Sequence, residues 1–161
     1  MENLELRLLP QIQDYVMPFD HFARGFNNSW WQRSIGRVGE DIFNGAKYFQ
    51  LVSREKEIGR AEVVGKILSD SYMGIDYKLD AYEITFIEIQ EDFRCLGFGT
   101  QFINLMEDYY SGKVLFAFSE GADGFWSRIG WRHYPRKDSE GWPYYRPLFI
   151  SQEINPMIKS Y

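Results

Sequence analysis

The sequence is poor in the features that would staple or anchor a chain from outside its own core. Cys95 is its one cysteine, so no internal disulfide and no cysteine-rich zinc site can form. Its two histidines, His21 and His133, lie far apart, with no ligand-spaced cysteine or carboxylate motif around either, and metal binding is not expected. No apolar run approaches the roughly 18 to 20 residues that cross a bilayer. The first stretch carries Glu2 and Glu5 where a signal peptide has a basic start and a long apolar centre. A cytoplasmic protein with no membrane partner is therefore expected. Eighteen lysines and arginines face 23 aspartates and glutamates, a net charge of −5. That balance disfavours broad contact with a phosphate backbone, so nucleic acid is not expected as the main partner, and it weakly favours an amine or cationic ligand.

What is present is enough apolar surface for one core. The 161 residues are 45% hydrophobic and 18% aromatic, a length that suits a single domain, read here as residues 1–150 with 151–161 as a C-terminal tail. Leu4, Leu6 and Leu8 alternate with Glu5 and Arg7 as in a half-buried strand that Pro10 ends. Ile12, Tyr15, Val16, Phe19 and Phe22 recur near helical spacing, which predicts one or two short helices broken at Pro18. Between Gly25 and Ala46 the pattern suits a helical excursion over the sheet, with Ser29 as N-cap of a short helix through Trp30 and Trp31. Lys47 to Arg54 and Glu57 to Lys66 are β-rich runs spaced like a hairpin, with Glu55-Lys56 as the turn.

Ala81 to Ile89 reads as a central strand, with Ile84 and Phe86 on one face and Ile87 and Ile89 on the other. A helix from Thr100 to Tyr110 buries Phe102, Leu105, Met106 and Tyr109. Val114 to Phe118 is a short strand, Gly121 to Ile129 a short helix, Trp131 to Tyr134 the start of a strand, and Tyr144 to Ile150 the last strand. Aromatics concentrated in the predicted loops, Trp30-Trp31, Trp142 and Tyr144-Tyr145 among them, suit a pocket lining, core packing or the contact of a homodimer.

The segment Arg94-Cys95-Leu96-Gly97-Phe98-Gly99-Thr100 joins the central strand to the long helix. Helix-start amides carry a partial positive charge, and glycines at 97 and 99 let an anion approach the backbone closely. Consecutive amides in such a turn form a concave nest, and Arg94 adds a charge-assisted donor, so a diphosphate fits this loop. Standing alone, a Gly-x-Gly step also reads as a plain tight turn.

The sequence around the turn is similar to the GNAT superfamily of N-acetyltransferases. That family's pyrophosphate motif is Arg/Gln-x-x-Gly-x-Gly/Ala, matched by Arg94, Gly97 and Gly99. Ile89-Gln90-Glu91-Asp92-Phe93 resembles its "V-x-P-E-Y" lead-in, and Phe125-Trp126-Ser127-Arg128-Ile129-Gly130-Trp131 resembles its "F-Y-E-K-L-G-F" signature. The resemblance implies an α/β fold, a mostly antiparallel six- to seven-stranded sheet with about four helices, split between the fourth and fifth strands. It further implies acetyl-CoA as co-substrate, bound by Arg94 through Thr100 and by backbone near Ile87, Glu88 and Ile89, and an amine acceptor that attacks the thioester directly. A bulge in the fourth strand would free an amide for the thioester oxygen.

Glu83 or Glu88 would be the base, Glu83 standing where histone-acetylating members carry theirs and Glu88 lying closer to the expected bulge. The resemblance also places Ser119 and Trp126 at the cofactor, Ser119 where asparagine is frequent and Trp126 where many members have a tyrosine acid. An indole is no acid, so the thiolate leaves unassisted or with help from Tyr134, Tyr144 or Tyr145. The implied activity is acetyl transfer to a primary amine of a small molecule or protein. The alternatives are a non-catalytic acyl-CoA-binding module and a toxin-like acetylator of aminoacyl-tRNA.

Overall fold

A computed structural model describes residues 3–10, 17–31 and 42–151 of the chain. Its sheet is built from β1 (Leu4–Leu9), β2 (Ile42–Ser53), β3 (Lys56–Leu68), β4 (Leu79–Ile89), β5 (Leu115–Phe118), β6 (Arg132–Tyr134) and β7 (Leu148–Ile150). The seven strands lie in the order β1-β2-β3-β4-β5-β7-β6. Every neighbouring pair is antiparallel except β4 and β5. The helices are α1 (Asn28–Trp31), α2 (Phe98–Tyr109) and α3 (Asp123–Arg128), with one 3-10 turn over Glu91–Phe93.

The β2–β3 hairpin turns one residue earlier than its sequence suggests. Arg54 and Glu55 take φ of 50° and 63°, the paired left-handed conformation of a two-residue type I′ loop, and Ser53 pairs with Lys56. Neither residue is a glycine or asparagine, and Glu55 is held in place by Arg7 of β1 at 2.7 Å. Register is what this turn protects, since a one-residue slip would send every side chain of β3 to the opposite face.

β4 departs from its expected phasing in the same currency. Val63 pairs with Ile84 but Glu62 pairs with Phe86, leaving Thr85 as an extra residue. A bulge of this kind reverses the alternation of side chains beyond it. Ile84, Ile87 and Ile89 consequently share one core cluster with Phe98, Phe102 and Met106 of α2, while Phe86 packs on the other face with Trp30, Trp31 and Tyr48. The assignment of Phe86 to the face of Ile84 is thus corrected.

Other boundaries shift for local reasons. Residues 11–16 lie outside the described part, and from Met17 to Phe26 the chain runs through bends and turns in place of a helix, with Asp20 accepting the Phe22 amide at 2.9 Å. Helix α1 starts at Asn28, so Ser29 is inside it and not its cap. α2 begins two residues before Thr100, and β7 only at Leu148, because the Tyr144 and Tyr145 amides both turn back to the Gly141 carbonyl. No helix among the described residues is long and apolar enough to cross a membrane. The tail 152–161 lies outside the described residues.

α2 lies close against β3 at Gly59, where an added Cβ would sit 2.9 Å from the Phe102 ring. Phe102 is fully buried, so the ring has nowhere to go. Gly59→Ala is expected to lower stability by about 1–3 kcal/mol through overpacking, read as an earlier urea midpoint with an unchanged slope.

Candidate active site

The sheet comes apart where the central glycine turn begins. β4 and β5 pair only at Tyr82↔Leu115 and Glu83↔Phe116. β5 then stays with β7 through Ala117↔Phe149 and Phe118↔Leu148, while β4 runs on from Ile84 to Ile89, about 20 Å of strand without a β5 partner. The bulge at Thr85 sits at the mouth of this opening, two residues past the last β4–β5 pair.

At the far end of that free edge lies the Arg94–Thr100 loop. Gly97 is the N-cap of α2, at φ 86°, ψ 2°, with no side chain capping the first turn. The leading amides of a helix have no intrahelical acceptor, so those at Phe98, Gly99 and Thr100 form a donor cluster of the kind that binds an anion. Nothing lies within 4 Å of where a Gly97 Cβ would be, and its left-handed φ is the conformation that favours glycine.

Gly99 serves another purpose than clearing space for an anion: a Cβ there would meet the Phe125 ring of α3 at 3.1 Å. It is a packing glycine between two helices. Cys95 and Leu96 are exposed, Cys95 at φ 62°, and Phe98 is buried edge-on to Phe93 at 5.8 Å. Arg94 is folded back on the strand end, with Nε donating to the Ile89 carbonyl at 2.9 Å and its guanidinium to Glu88 at 3.2 Å. It is half exposed, so its reach toward the loop is a matter of rotamer.

The two candidate bases are in different situations. Glu88 is nearly buried and accepts from the Asn27 amide at 2.9 and 3.1 Å, from the Trp31 indole at 2.9 Å and from Arg94. These donors occupy its carboxylate and make it the peg that fixes the 25–31 segment to β4. Glu83 lies on the same face, 14% exposed, with Lys66 Nζ at 3.5 Å. The observed bulge is two residues from Glu83 and three from Glu88, so the placement of Glu88 as the nearer of the two is corrected.

The remaining sequence candidates are mostly structural. Ser119 is buried, and its Oγ accepts the Ala122 amide at 2.9 Å, closing the turn into α3. Trp126 is 4% exposed and stacked 4.7 Å from Trp131 within the α2-side core. Its side chain is therefore part of the core. Trp31 is fully buried against Phe19 and Phe86, which leaves only Trp30 of that pair partly open. Tyr134 is buried in the cluster around Phe116. Tyr144 is exposed, and Tyr145 lies under the Arg136 guanidinium at 3.8 Å. Burial pushes the Tyr72 phenol above its usual value, with Arg136 pulling the other way, so Tyr72 keeps its proton at neutral pH.

Among the described residues, two fully buried charged side chains lie outside every motif. Arg60 is fully buried between the Phe19 and Phe26 rings, at 4.9 and 4.2 Å, and is paired with Glu57. Glu62 is also fully buried, bonded to the hydroxyls of Tyr48 and Thr85. The signal was present in the sequence: Arg60 and Glu62 are two apart in a run otherwise apolar enough for a strand buried on both faces.

No protein-family model matches this sequence. No curated protein matches it either. Solved structures do. The chain superposes on a mutant of KacT with a TM-score of 0.64 at 14% identity, covering 100% of both chains. AtaT complexed with acetyl-methionyl-tRNAfMet gives 0.63 at 15% identity over 98% of this chain and 99% of that one. The Bacillus subtilis N-acetyltransferase YlbP, solved with coenzyme A, gives 0.51 at 12% identity over 64% of this chain and 65% of that one.

The chain has the GNAT fold. In GNAT-fold terms the opening between β4 and β5 is the split that the resemblance implied, and the glycine-capped α2 follows the bulged strand in the order the motif requires.

Glu88 is assigned here to architecture, and that is testable. Glu88→Ala would strand the buried Trp31 indole without an acceptor, for a loss of about 1–3 kcal/mol, seen in chemical denaturation and in tryptophan fluorescence. Full stability with abolished turnover would instead return Glu88 to the chemistry.

Proposed function

We propose that this protein is an acetyl-CoA-dependent N-acetyltransferase that moves the acetyl group to a primary amine by direct attack. The observation that carries the reading is the coincidence of three features along β4: the bulge at Thr85, the unpaired edge from Ile84 to Ile89, and the glycine-opened α2 at its end. The free edge suits the amide-bearing pantetheine arm, and the α2 amides suit the diphosphate, with Arg94 able to leave Glu88 for a phosphate oxygen. The fold neighbours solved with coenzyme A or acetyl-CoA support the same co-substrate.

The chemistry needs a proton acceptor, since an alkylamine is protonated at neutral pH and nucleophilic only as the free base. Glu83 is assigned that role: it lies on the sheet face that carries Phe86 and Trp30, beside the bulge. The amine nitrogen attacks the thioester carbonyl, a C–N bond forms, the C–S bond breaks, and the thiolate departs. A freed amide at the bulge stabilises the oxyanion. Trp126 is walled into the core and supplies no proton, so the thiolate leaves unassisted.

The acceptor reading divides in two. Small amines and protein amines suit the net charge of −5. The amino group of an aminoacyl-tRNA is supported by a different observation, the full-length match to AtaT, which was solved with acetyl-methionyl-tRNAfMet. That support changes the standing of nucleic acid from an unexpected partner to a candidate substrate.

Calorimetry with acetyl-CoA, followed by thiol release against polyamines, peptides and charged tRNA, tests both parts. Binding with thiol release matched by acetylated product is the expected result, and the productive acceptor separates the two acceptor classes. No heat of association at millimolar acetyl-CoA would overturn the proposal. Glu83→Gln is expected to lower kcat on the order of 10²–10⁴-fold, with the KM for acetyl-CoA little changed and the acidic limb of the pH–rate profile, where the base would be protonated, flattened. Wild-type rates with unchanged pH dependence would remove Glu83 from the mechanism.

A further inference from the structure

Glu62 stands opposite the bulge and has no part in the scheme above. It is the single residue of β3 that faces the Thr85–Phe86 step of β4, and it is fully buried. A carboxylate is rarely placed where water cannot reach it unless its oxygens are hydrogen-bonded. One oxygen accepts from the Tyr48 hydroxyl at 2.8 Å, and the other accepts from the Thr85 hydroxyl. Thr85 Oγ1 also lies 3.2 Å from the main-chain oxygen of Glu62. Tyr48 is Glu62's direct partner across β2 and β3, and it is buried edge-on to Phe19 at 5.8 Å. A chain of hydrogen bonds therefore crosses three strands and ends on the one residue that the β3–β4 ladder leaves out.

An extra residue in a strand persists only where its surroundings over-determine it. The β5 side offers nothing here, because β5 has already left β4. The restraint has to come from β3. We propose that Glu62 is a positioning residue: through Thr85 it fixes the bulged backbone of β4, and with it the direction of the amide that meets the thioester oxygen. This rests on the acetyltransferase reading. It assigns Glu62 no contact with substrate and no proton transfer, and it explains why β3 carries a carboxylate in the middle of its buried stretch.

The test uses Thr85→Val, which keeps the shape of the side chain and removes its hydroxyl, with Thr85→Ser as the conservative rescue. Glu62→Gln and the double variant complete a cycle. Two quantities are read: kcat and KM for acetyl-CoA, and amide hydrogen exchange of residues 83–87 in the ligand-free protein. Thr85→Val is expected to lower kcat about 10–100-fold, the loss typical of a small misplacement of a catalytic group. The KM for acetyl-CoA stays within about twofold, exchange at the bulge speeds up, and Thr85→Ser stays near wild type in both readouts. The double variant is expected to be no worse than Thr85→Val alone, because both changes break one link.

Equal turnover and equal exchange in Thr85→Val and Thr85→Ser would overturn the proposal, as would strictly additive losses in the double variant. If Glu62→Gln fails to fold, the Thr85 pair still decides. Absence of thiol release from the wild type would sink the acetyltransferase reading instead, and the exchange measurement would then decide by itself whether the Glu62–Thr85 link holds the bulge.

Discussion

One extra residue in β4 sets the phase of everything around the site. With Thr85 outside the β3–β4 ladder, the isoleucines before and after it both point at α2, and Glu83, Phe86 and Glu88 are left for the opposite face. Without it, the alternation would carry Ile87 and Ile89 away from the core and bring Glu88 into it. The bulge is thus a packing solution. It reconciles a strand whose apolar residues are out of step by one with a sheet that carries α2 and α3 on that side.

The split between β4 and β5 follows from how little of β5 pairs with β4. Four residues long, β5 meets β4 only through Leu115 and Phe116, while β7 pairs along its other edge from Phe116 to Phe118. The β4 edge from Ile84 to Ile89 is left without a strand partner on that side, a liability that a sheet ordinarily covers or pairs. Here it is flanked by the anion-ready start of α2, and the two features together suit a ligand with a strand-like arm and a charged end. The face away from α2 is closed by residues 17–31, which Glu88, through Asn27 and Trp31, and Gln90, through the Arg24 carbonyl, tie to the end of the same strand. One strand therefore carries the open edge, Glu83 and the anchor of the 17–31 segment.

The charged residues on that face divide by burial. Arg60 and Glu62 are fully enclosed, and each is held by specific partners, as charges deprived of water must be. Glu83 and Arg94 remain partly open to solvent. Glu88 lies between these groups in exposure and is committed to structure by the number of donors it satisfies.

Local pattern was sufficient for much of this. The order of the strands, the glycine turn after a central strand, and Phe102 and Met106 on the buried face of α2 were legible, because periodicity and turn chemistry are properties of neighbours along the chain, whereas Tyr109, expected on that face, is exposed. The resemblance to the GNAT motif rested on the same kind of contiguous signal. Three things were decided only by the tertiary structure. The bulge at Thr85 depends on which residue of β3 faces it. The different fates of Glu83 and Glu88 depend on donors as distant as Asn27 and Trp31. The burial of Trp126 depends on Trp131 and α2. Each is set by contacts between elements far apart in sequence, and a pattern read along one strand or helix holds no record of what will lie across from it.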